Sequence, residues 1–243
     1  RNRISSFWLG RCLRMSSSAT GSASGPAPSR LRIAARHSDL ARLQAYRVGD
    51  RLKQVYPGLE VEYSFRASLG DKNLEDPLWK MPEKGVFTED FLRDLKEGEA
   101  DLIVHSWKDL PTEVRNGTEI AATLPRADQR DLMLIRKDRV AGIRETGIVR
   151  ILTSSPRRAY NLEPFLKSHL PFEVKTVAFE NVRGNIPTRL RKMLAQDVDG
   201  LIVAKAALDR LIEAPEAEFE ETRATIREAL KASRWMVLPL TAN

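Results

Sequence analysis

An ammonium group and a carboxylate stand side by side where an apolar stretch of the sequence stops. Residues 102–104 read Leu-Ile-Val, and residues 105–109 read His-Ser-Trp-Lys-Asp. Such an apolar stretch is typical of a buried strand, and in open α/β sheets ligands bind beyond the carboxyl ends of the strands. We therefore interpret Lys108 and Asp109 as candidates for binding or catalysis. The alternative is an ordinary surface ion pair, which contributes under ~1 kcal/mol.

Basic side chains recur at three further places where a strand is expected to end. They are Arg36-His37-Ser38, Ser154-Ser155-Pro156-Arg157-Arg158 and Arg183-Gly184-Asn185. A helix N-terminus presents free N–H groups, and a guanidinium binds carboxylate or phosphate through two parallel hydrogen bonds. Taken singly, each arginine is equally compatible with a surface charge that pairs with a nearby acid. Their recurrence at equivalent positions predicts a polyanionic ligand.

Alternating strand and helix patterns from residue 31 onward predict an α/β fold. Strands are expected at 31–35, 59–65, 100–106, 118–126, 130–137, 148–153, 172–179, 199–205 and 234–240. Helices are expected at 38–57, after Thr88, and at 154–169, 184–196, 206–214 and 215–232. Residues 66–86 have no apolar period and are interpreted as a long loop.

Two such sets of elements, separated by the polar stretch 126–130, predict two lobes. Each lobe is expected to contain a mainly parallel, mixed sheet flanked by helices, with a cleft between the lobes. We expect the first domain to comprise 31–125 plus a returning strand at 234–243, and the second to comprise 126–233. Residues 1–30 are rich in Ser, Ala and Gly and are expected to be a disordered leader. No internal repeat is evident at the level of residues.

The net charge of +7 invites a nucleic-acid interpretation, but the distribution of the charge argues against it. Residues 1–30 contain five arginines and no acid, so most of the excess charge lies in the leader. We therefore expect no nucleic-acid partner. No apolar run approaches the ~18 residues that a membrane span requires, so we expect no membrane association. The single Cys12 excludes a disulfide framework, and with only three histidines we expect no metal site.

Two origins of the leader stay open, and they imply different locations. An Arg- and Ser-rich start without acids is typical of an organelle transit peptide, which would direct the protein to a plastid. Alternatively, translation begins at Met15 and the preceding residues are foreign to the protein. In that case we expect a cytoplasmic protein.

Five segments of the sequence carry a resemblance to a known family. They are RIAARHSDLARLQ (32–44), GDKNLEDPLWKMPEKGVFTEDF (70–91), VHSWKDLPT (104–112), TSSPRRAYNL (153–162) and VRGNIPTRLRKM (182–193). In this order they resemble porphobilinogen deaminase, also called hydroxymethylbilane synthase, over nearly all of the chain after the leader. One segment alone would be a weak signal, whereas five in order make the resemblance specific.

The resemblance implies a transferase of tetrapyrrole (haem or chlorophyll) biosynthesis. Such an enzyme condenses four porphobilinogen molecules into hydroxymethylbilane, releases ammonia and uses a dipyrromethane cofactor; we expect a monomer. By resemblance, Asp109 is the catalytic carboxylate, which stabilises the cation that forms when ammonia leaves. The implied cofactor-binding residues are Lys108, Ser38, Arg157, Arg158, Arg183 and Ser154. The implied substrate-binding residues are Arg36, Gln44, Phe87 and Arg210. The loop 66–86 is implied to be a mobile lid over the active site.

Several positions depart from the family pattern. His37 stands where Lys is common, Pro156 replaces an aliphatic residue, Ala207 replaces a glycine, and the segment 215–232 is longer than expected. The family's third domain, which carries the cysteine that anchors dipyrromethane, has no match in these 243 residues. Cys12 matches no family motif. We therefore expect this stretch to lack a covalent cofactor and to be inactive alone.

One alternative function from a different class stays open. The family shares its fold with two-lobed, periplasmic-binding-protein-like (type II) modules. The same residues would then form a non-catalytic module that binds a small carboxylate-bearing ligand. The complete motif around Asp109 favours the enzyme.

Overall fold

The computed structural model describes residues 29–67, 89–110 and 117–242, together with the backbone of the strand Ser6–Arg11. Its contacts divide the chain into two units, Arg1–Arg126 and Ala127–Asn243. Both units have a mixed sheet flanked by helices, so the predicted α/β class is confirmed. In the part of the chain that the structure describes, no helix is long and apolar enough to cross a membrane.

The sheet of the first unit has the strand order β3-β2-β4-β1-β5 over the described residues. Its strands are β1 (Ser6–Arg11), β2 (Arg30–Arg36), β3 (Glu60–Arg66), β4 (Leu102–His105) and β5 (Thr118–Leu124). Strand β2 pairs in parallel with β3 and β4, whereas β1 runs antiparallel to β4 and β5. In the described residues of this unit, the α-helices are α1 (Asp39–Val55) and α2 (Glu89–Glu97).

Alternate residues of β2 pack against the two helices, which lie on opposite faces of this sheet. Ile33 and Ala35 are buried with residues of α1, whereas Ala34 is buried with residues of α2. Successive side chains of a strand point to opposite faces, so both faces of the sheet are covered. Because Ala35 pairs with Val104, the carboxyl ends of β2 and β4 lie side by side. The polar residues that follow these two strands therefore meet at one edge of the sheet.

The sheet of the second unit has the strand order β10-β6-β9-β7-β8, again over the described residues. Its strands are β6 (Asp131–Arg136), β7 (Ile148–Leu152), β8 (Thr176–Glu180), β9 (Gly200–Ala204) and β10 (Ser233–Val237). Its helices are α3 (Val140–Thr146), α4 (Pro156–His169), α5 (Ile186–Ala195), α6 (Lys205–Ile212) and α7 (Glu220–Ala232). The sequence pattern predicts all of these elements except α3.

The two sheets repeat one topology. In each, a central strand pairs in parallel with two neighbours, and an antiparallel strand follows on one side. Each also has what we call a strand latch, in which an aspartate binds the backbone of the central strand. Asp101 accepts the N–H of Arg32 at 2.8 Å, and Asp199 accepts the N–H of Arg150 at 2.7 Å. The repeat lies in strand order and hydrogen bonding, which explains why comparing residues does not reveal it.

Residues 234–242 lie in the second unit, so the prediction that the segment 234–243 returns to the first domain is wrong. Strand β10 pairs antiparallel with β6, and the N–H of Leu238 donates to the carbonyl of Asp131 at 2.8 Å. Helix α7 ends at Ala232, directly before β10. The strand therefore reaches the edge of β6 without a loop, and such a short connection costs little conformational entropy.

The leader also differs from its prediction. Ser6–Arg11 forms β1, in register with β4 from Phe7 opposite His105 to Gly10 opposite Leu102. The expectation of a disordered segment 1–30 is wrong for these residues, and Arg30 already belongs to β2. The stretch SFWLG is the most apolar part of the leader, and both backbone edges of β1 are paired with β4 and β5.

Candidate functional site

A tight turn after β4 presents Lys108 and Asp109. The four residues of β4 are buried, and the chain then leaves the sheet in a 3₁₀ turn, Trp107–Asp109. The N–H of Asp109 donates to the carbonyl of Ser106 at 3.0 Å, and the N–H of Leu110 donates to that of Trp107 at 3.1 Å. The turn thus fixes the backbone of the carboxylate that the sequence singles out.

The end of β2 and the start of α1 complete the surroundings of this turn. The N–H of His37 donates to the carbonyl of Arg66 at 3.0 Å, which extends the pairing of β2 and β3 past Arg36. Ser38 is the N-cap residue of α1, but its hydroxyl makes no capping hydrogen bond. It lines a pocket instead, together with the buried Gln44 of α1.

Asp109 also lines this pocket, which lies in the first unit. The pocket has a volume of about 80 Å³. Its lining residues are Arg36, Ser38, Leu40, Ala41, Gln44, Val104, His105, Ser106, Lys108 and Asp109. Nη1 of Arg36 lies 3.6 Å from Oδ2 of Asp109, and the two side chains are only 21% and 17% exposed. The volume suffices for several water molecules or one polar arm of a ligand. The pocket therefore offers a carboxylate with a guanidinium beside it.

In the second unit, two helix starts form a polar edge beyond β7 and β8. Helix α4 begins with Pro156, and the hydroxyl of Ser155 accepts the N–H of Arg158 at 3.4 Å. Helix α5 begins after Asn185, whose side-chain oxygen accepts the N–H of Thr188 at 3.0 Å. Both starts follow the sequence signals for a capped helix N-terminus.

Three guanidiniums converge at this edge, and we call Arg158, Arg183 and Arg189 the arginine cluster. Arg189 donates from Nε to the carbonyl of Gly184 at 2.7 Å and from Nη1 to the hydroxyl of Ser154 at 3.0 Å. Burial, followed by repulsion from Arg158 and Arg183, lowers the pKa of Arg189 to about 10. Like charges held together in a buried place are typical of a site for an anion.

A buried acid binds Arg158. Its Nε donates to Oδ2 of Asp131 at 2.9 Å, and its Nη2 donates to Oδ1 at 2.6 Å. The side chains of Arg158 and Asp131 are 14% and 8% exposed. This pair therefore fixes one edge of the guanidinium within the second unit.

The structure brings the predicted site residues together in two groups. Arg36, Ser38, Gln44, Lys108 and Asp109 line the pocket of the first unit. Ser154, Arg158 and Arg183 lie at the cluster of the second unit. Arg157 is exposed on the first turn of α4, and Arg210 is half-buried in α6. Phe87 and the predicted lid from residue 68 onward lie outside the described residues.

Sequence reasoning missed Arg189. It stands in an amphipathic helix pattern, where an arginine usually belongs to the solvent face, and its role depends on the turn before the helix. Gly184, with φ of 113°, adopts a conformation that favours glycine, and its carbonyl then accepts from Nε of Arg189. A glycine followed five residues later by an arginine, across a helix start, is the signal that could have indicated this contact.

Comparison with known proteins identifies one family. The sequence model of the porphobilinogen deaminase, dipyromethane cofactor binding domain matches residues 31–233. Porphobilinogen deaminase of Syntrophomonas wolfei is 39% identical over 182 residues, which are 74% of this chain and 56% of that protein. A probable porphobilinogen deaminase of Picrophilus torridus is 38% identical over 181 residues, 74% of this chain and 60% of the relative.

The chain spans somewhat more than half the length of these curated relatives. Among solved structures, HinK, a LysR family transcriptional regulator from Pseudomonas aeruginosa, aligns with a TM-score of 0.41 at 16% identity. That alignment covers 89% of this chain and 60% of HinK, and the likeness is too distant to bear on function.

Proposed function

The chain belongs to the porphobilinogen deaminase family, and from that premise we propose that its protein condenses four porphobilinogen molecules into hydroxymethylbilane with release of ammonia. The single observation that carries the proposal is the pocket in which Arg36 adjoins the carboxylate of Asp109. The pocket has the size of a polar arm and is lined by donors that suit a carboxylate-bearing substrate.

The arginine cluster fits the cofactor for which the matched domain is named. The dipyrromethane of this family carries acetate and propionate arms, and the cluster offers guanidiniums whose mutual repulsion an anion would relieve. Arg183, Arg189 and Ser154 would hold those arms, with Arg158 beside them. When bound, the cofactor supplies the end to which pyrrole units are added.

In this proposal, Asp109 acts by electrostatics. A porphobilinogen that loses ammonia develops positive charge on its pyrrole ring, and a carboxylate fixed beside it stabilises that charge more than it stabilises the neutral substrate. Arg36 orients Asp109 through their ion pair, and the short turn after β4 limits the movement of its backbone. Lys108 and Ser38 would bind the carboxylates of cofactor or substrate at the same pocket.

The test is Asp109→Asn in the protein expressed from its complete gene. The change removes the charge and almost no volume, so we expect porphobilinogen turnover to fall by ~10²–10³, the usual cost of losing one preorganised electrostatic partner. Asp50→Asn is the matched control, because Asp50 is an exposed carboxylate of α1 in the same unit and does not line the pocket. Turnover is measured as the rate of ammonia release per protein molecule at saturating porphobilinogen.

The outcomes separate the enzyme from the binding module. Normal turnover in Asp109→Asn would contradict the catalytic role of the carboxylate. A protein that binds porphobilinogen in calorimetry but never turns it over, even with its complete sequence, would favour the non-catalytic module instead.

We further propose that the protein acts as a monomer in the cytoplasm, with porphobilinogen as its partner. A plastid location would require residues 1–30 to serve as a transit peptide. Sedimentation analysis and the location of a fluorescent fusion that retains residues 1–30 test these two points.

A further inference from the structure

Asp131 has no part in the assigned machinery, yet it is bound to a member of the arginine cluster. It is the first residue of β6, and its carboxylate accepts from Nε and Nη2 of Arg158 at 2.9 Å and 2.6 Å. Both side chains are largely buried, with 8% of Asp131 and 14% of Arg158 exposed. The pair uses one edge of the guanidinium, which leaves Nη1 as the nitrogen that Asp131 does not engage.

We propose that Asp131 is a positioning residue for anion binding at the arginine cluster, acting by holding Arg158 with Nη1 available to a ligand carboxylate. The inference rests on the proposed function, because it assumes that the cluster receives a carboxylate-bearing ligand. Its physical basis is preorganisation: a long arginine side chain that is already fixed loses less conformational entropy when an anion binds.

Asp131 also neutralises one positive charge of the cluster. An effect of Asp131 on net charge and an effect on the position of Arg158 therefore change the affinity for an anion in opposite directions. If net charge governed anion binding, Asp131→Asn would strengthen it, since the cluster would gain one unit of positive charge. If position governs binding, the same change weakens it, because Arg158 loses the carboxylate that holds it. A merely structural role predicts no change in affinity in the variant that stays folded.

The experiment is calorimetric titration of the whole chain with porphobilinogen and, separately, with succinate, a plain dicarboxylate. We expect Asp131→Asn to bind both about tenfold more weakly, the scale of one hydrogen bond to a charged group. Asp138→Asn is the matched control, because Asp138 binds Nε and Nη2 of Arg136 in the same manner but is 61% exposed beyond the other end of β6. Its affinity should stay within about twofold of wild type.

A double variant distinguishes the loss of the contact with Arg158 from a general loss of folding. Asp131→Asn leaves Arg158 partly buried without its partner, whereas Asp131→Asn combined with Arg158→Gln does not. If Asp131 acts through Arg158, the double variant binds both ligands as Arg158→Gln alone does. Unchanged or tighter binding in Asp131→Asn, or a further loss in the double variant, would overturn the inference.

A second readout does not depend on any ligand. In nitrogen-15 NMR, the Nε–H signal of Arg158 should exchange slowly with water in the wild type and in Asp138→Asn, and fast in Asp131→Asn. Binding of succinate but not of porphobilinogen, with the expected order of variants, would refute the proposed function and leave this inference standing. Slow exchange in Asp131→Asn, or a wild type that binds neither ligand, would refute the inference itself.

Discussion

Replacing Arg189 with methionine should make the ligand-free protein more stable while it abolishes anion binding. Arg189 is held among other guanidiniums in the second unit, and burial and repulsion lower its pKa from 12.5 to about 10. A lowered pKa in a basic group means that the folded state holds the proton less tightly than the unfolded state does. The charge of Arg189 therefore destabilises the fold at neutral pH.

The magnitude follows from the pKa and the hydrogen bonds. A tenfold change in proton affinity corresponds to ~1.4 kcal/mol, so the charge of Arg189 costs about 3 kcal/mol at neutral pH. Against this, methionine removes the hydrogen bonds to Gly184 and Ser154, each of which contributes ~0.5–1.5 kcal/mol net. Methionine has a similar length and fills the same space. The difference leaves Arg189→Met more stable by ~1 kcal/mol.

Urea denaturation followed by circular dichroism measures this difference. Arg191→Met is the control: Arg191 lies on the same helix but is 53% exposed, so its replacement should change the free energy of unfolding by less than ~0.5 kcal/mol. The increase in the free energy of unfolding in Arg189→Met should be constant below pH 10. Above pH 10 it should shrink, because the folded wild type releases the proton of Arg189. Addition of porphobilinogen should stabilise the wild type and Arg191→Met more than it stabilises Arg189→Met. A loss of more than ~1 kcal/mol in Arg189→Met would refute this reasoning.

Two further changes test a turn and an ion pair. Gly184→Ala should cost at least ~1 kcal/mol more than Gly58→Ala in urea denaturation, since both glycines have positive φ but a Cβ at Gly184 would lie 2.7 Å from Thr188; equal losses would contradict the close contact. The hydrogen bonds and charge of Arg130 lower the pKa of Asp128 to about 2, so its contribution to stability is complete above about pH 4 and is lost as the pH falls towards 2. Asp128→Asn should therefore lower the free energy of unfolding slightly at pH 7, by less than ~1 kcal/mol, and by a smaller amount at pH 2; a difference that is undiminished at pH 2 would show another cause.

Most of the fold could be predicted because its signals are local. The apolar residues of β2 and β4 read as continuous runs, and Ser155 with Pro156 marks the start of α4 within one turn of the chain. The pairing of β10 could not be predicted in this way. An apolar strand fits either sheet equally well by pattern, and the choice depends on which edge the chain reaches first.

The candidate site was predictable to the extent that it lies at strand ends. Lys108 and Asp109 are recognisable because a charged pair directly follows a buried strand. Arg189 is not, because its burial arises from the turn at Gly184 and from neighbours far away in the sequence. The partner of Arg158 was equally hidden, since Asp131 is 27 residues away and looks like the start of an ordinary strand.

The two separate sheets have a consequence for how this protein loses its structure. Among the described residues the sheets have no strand in common, and the chain passes between the units once, at Arg126–Ala127. Cooperative melting needs interactions that span the whole molecule, whereas each ladder and each strand latch closes within its own unit. Trp107 belongs to the first unit and Trp235 to the second, so a variant that keeps only one of the four tryptophans would report on one unit by fluorescence. Melting followed separately in each unit would therefore give the temperature at which the pocket of Asp109 is lost and the temperature at which the arginine cluster is lost.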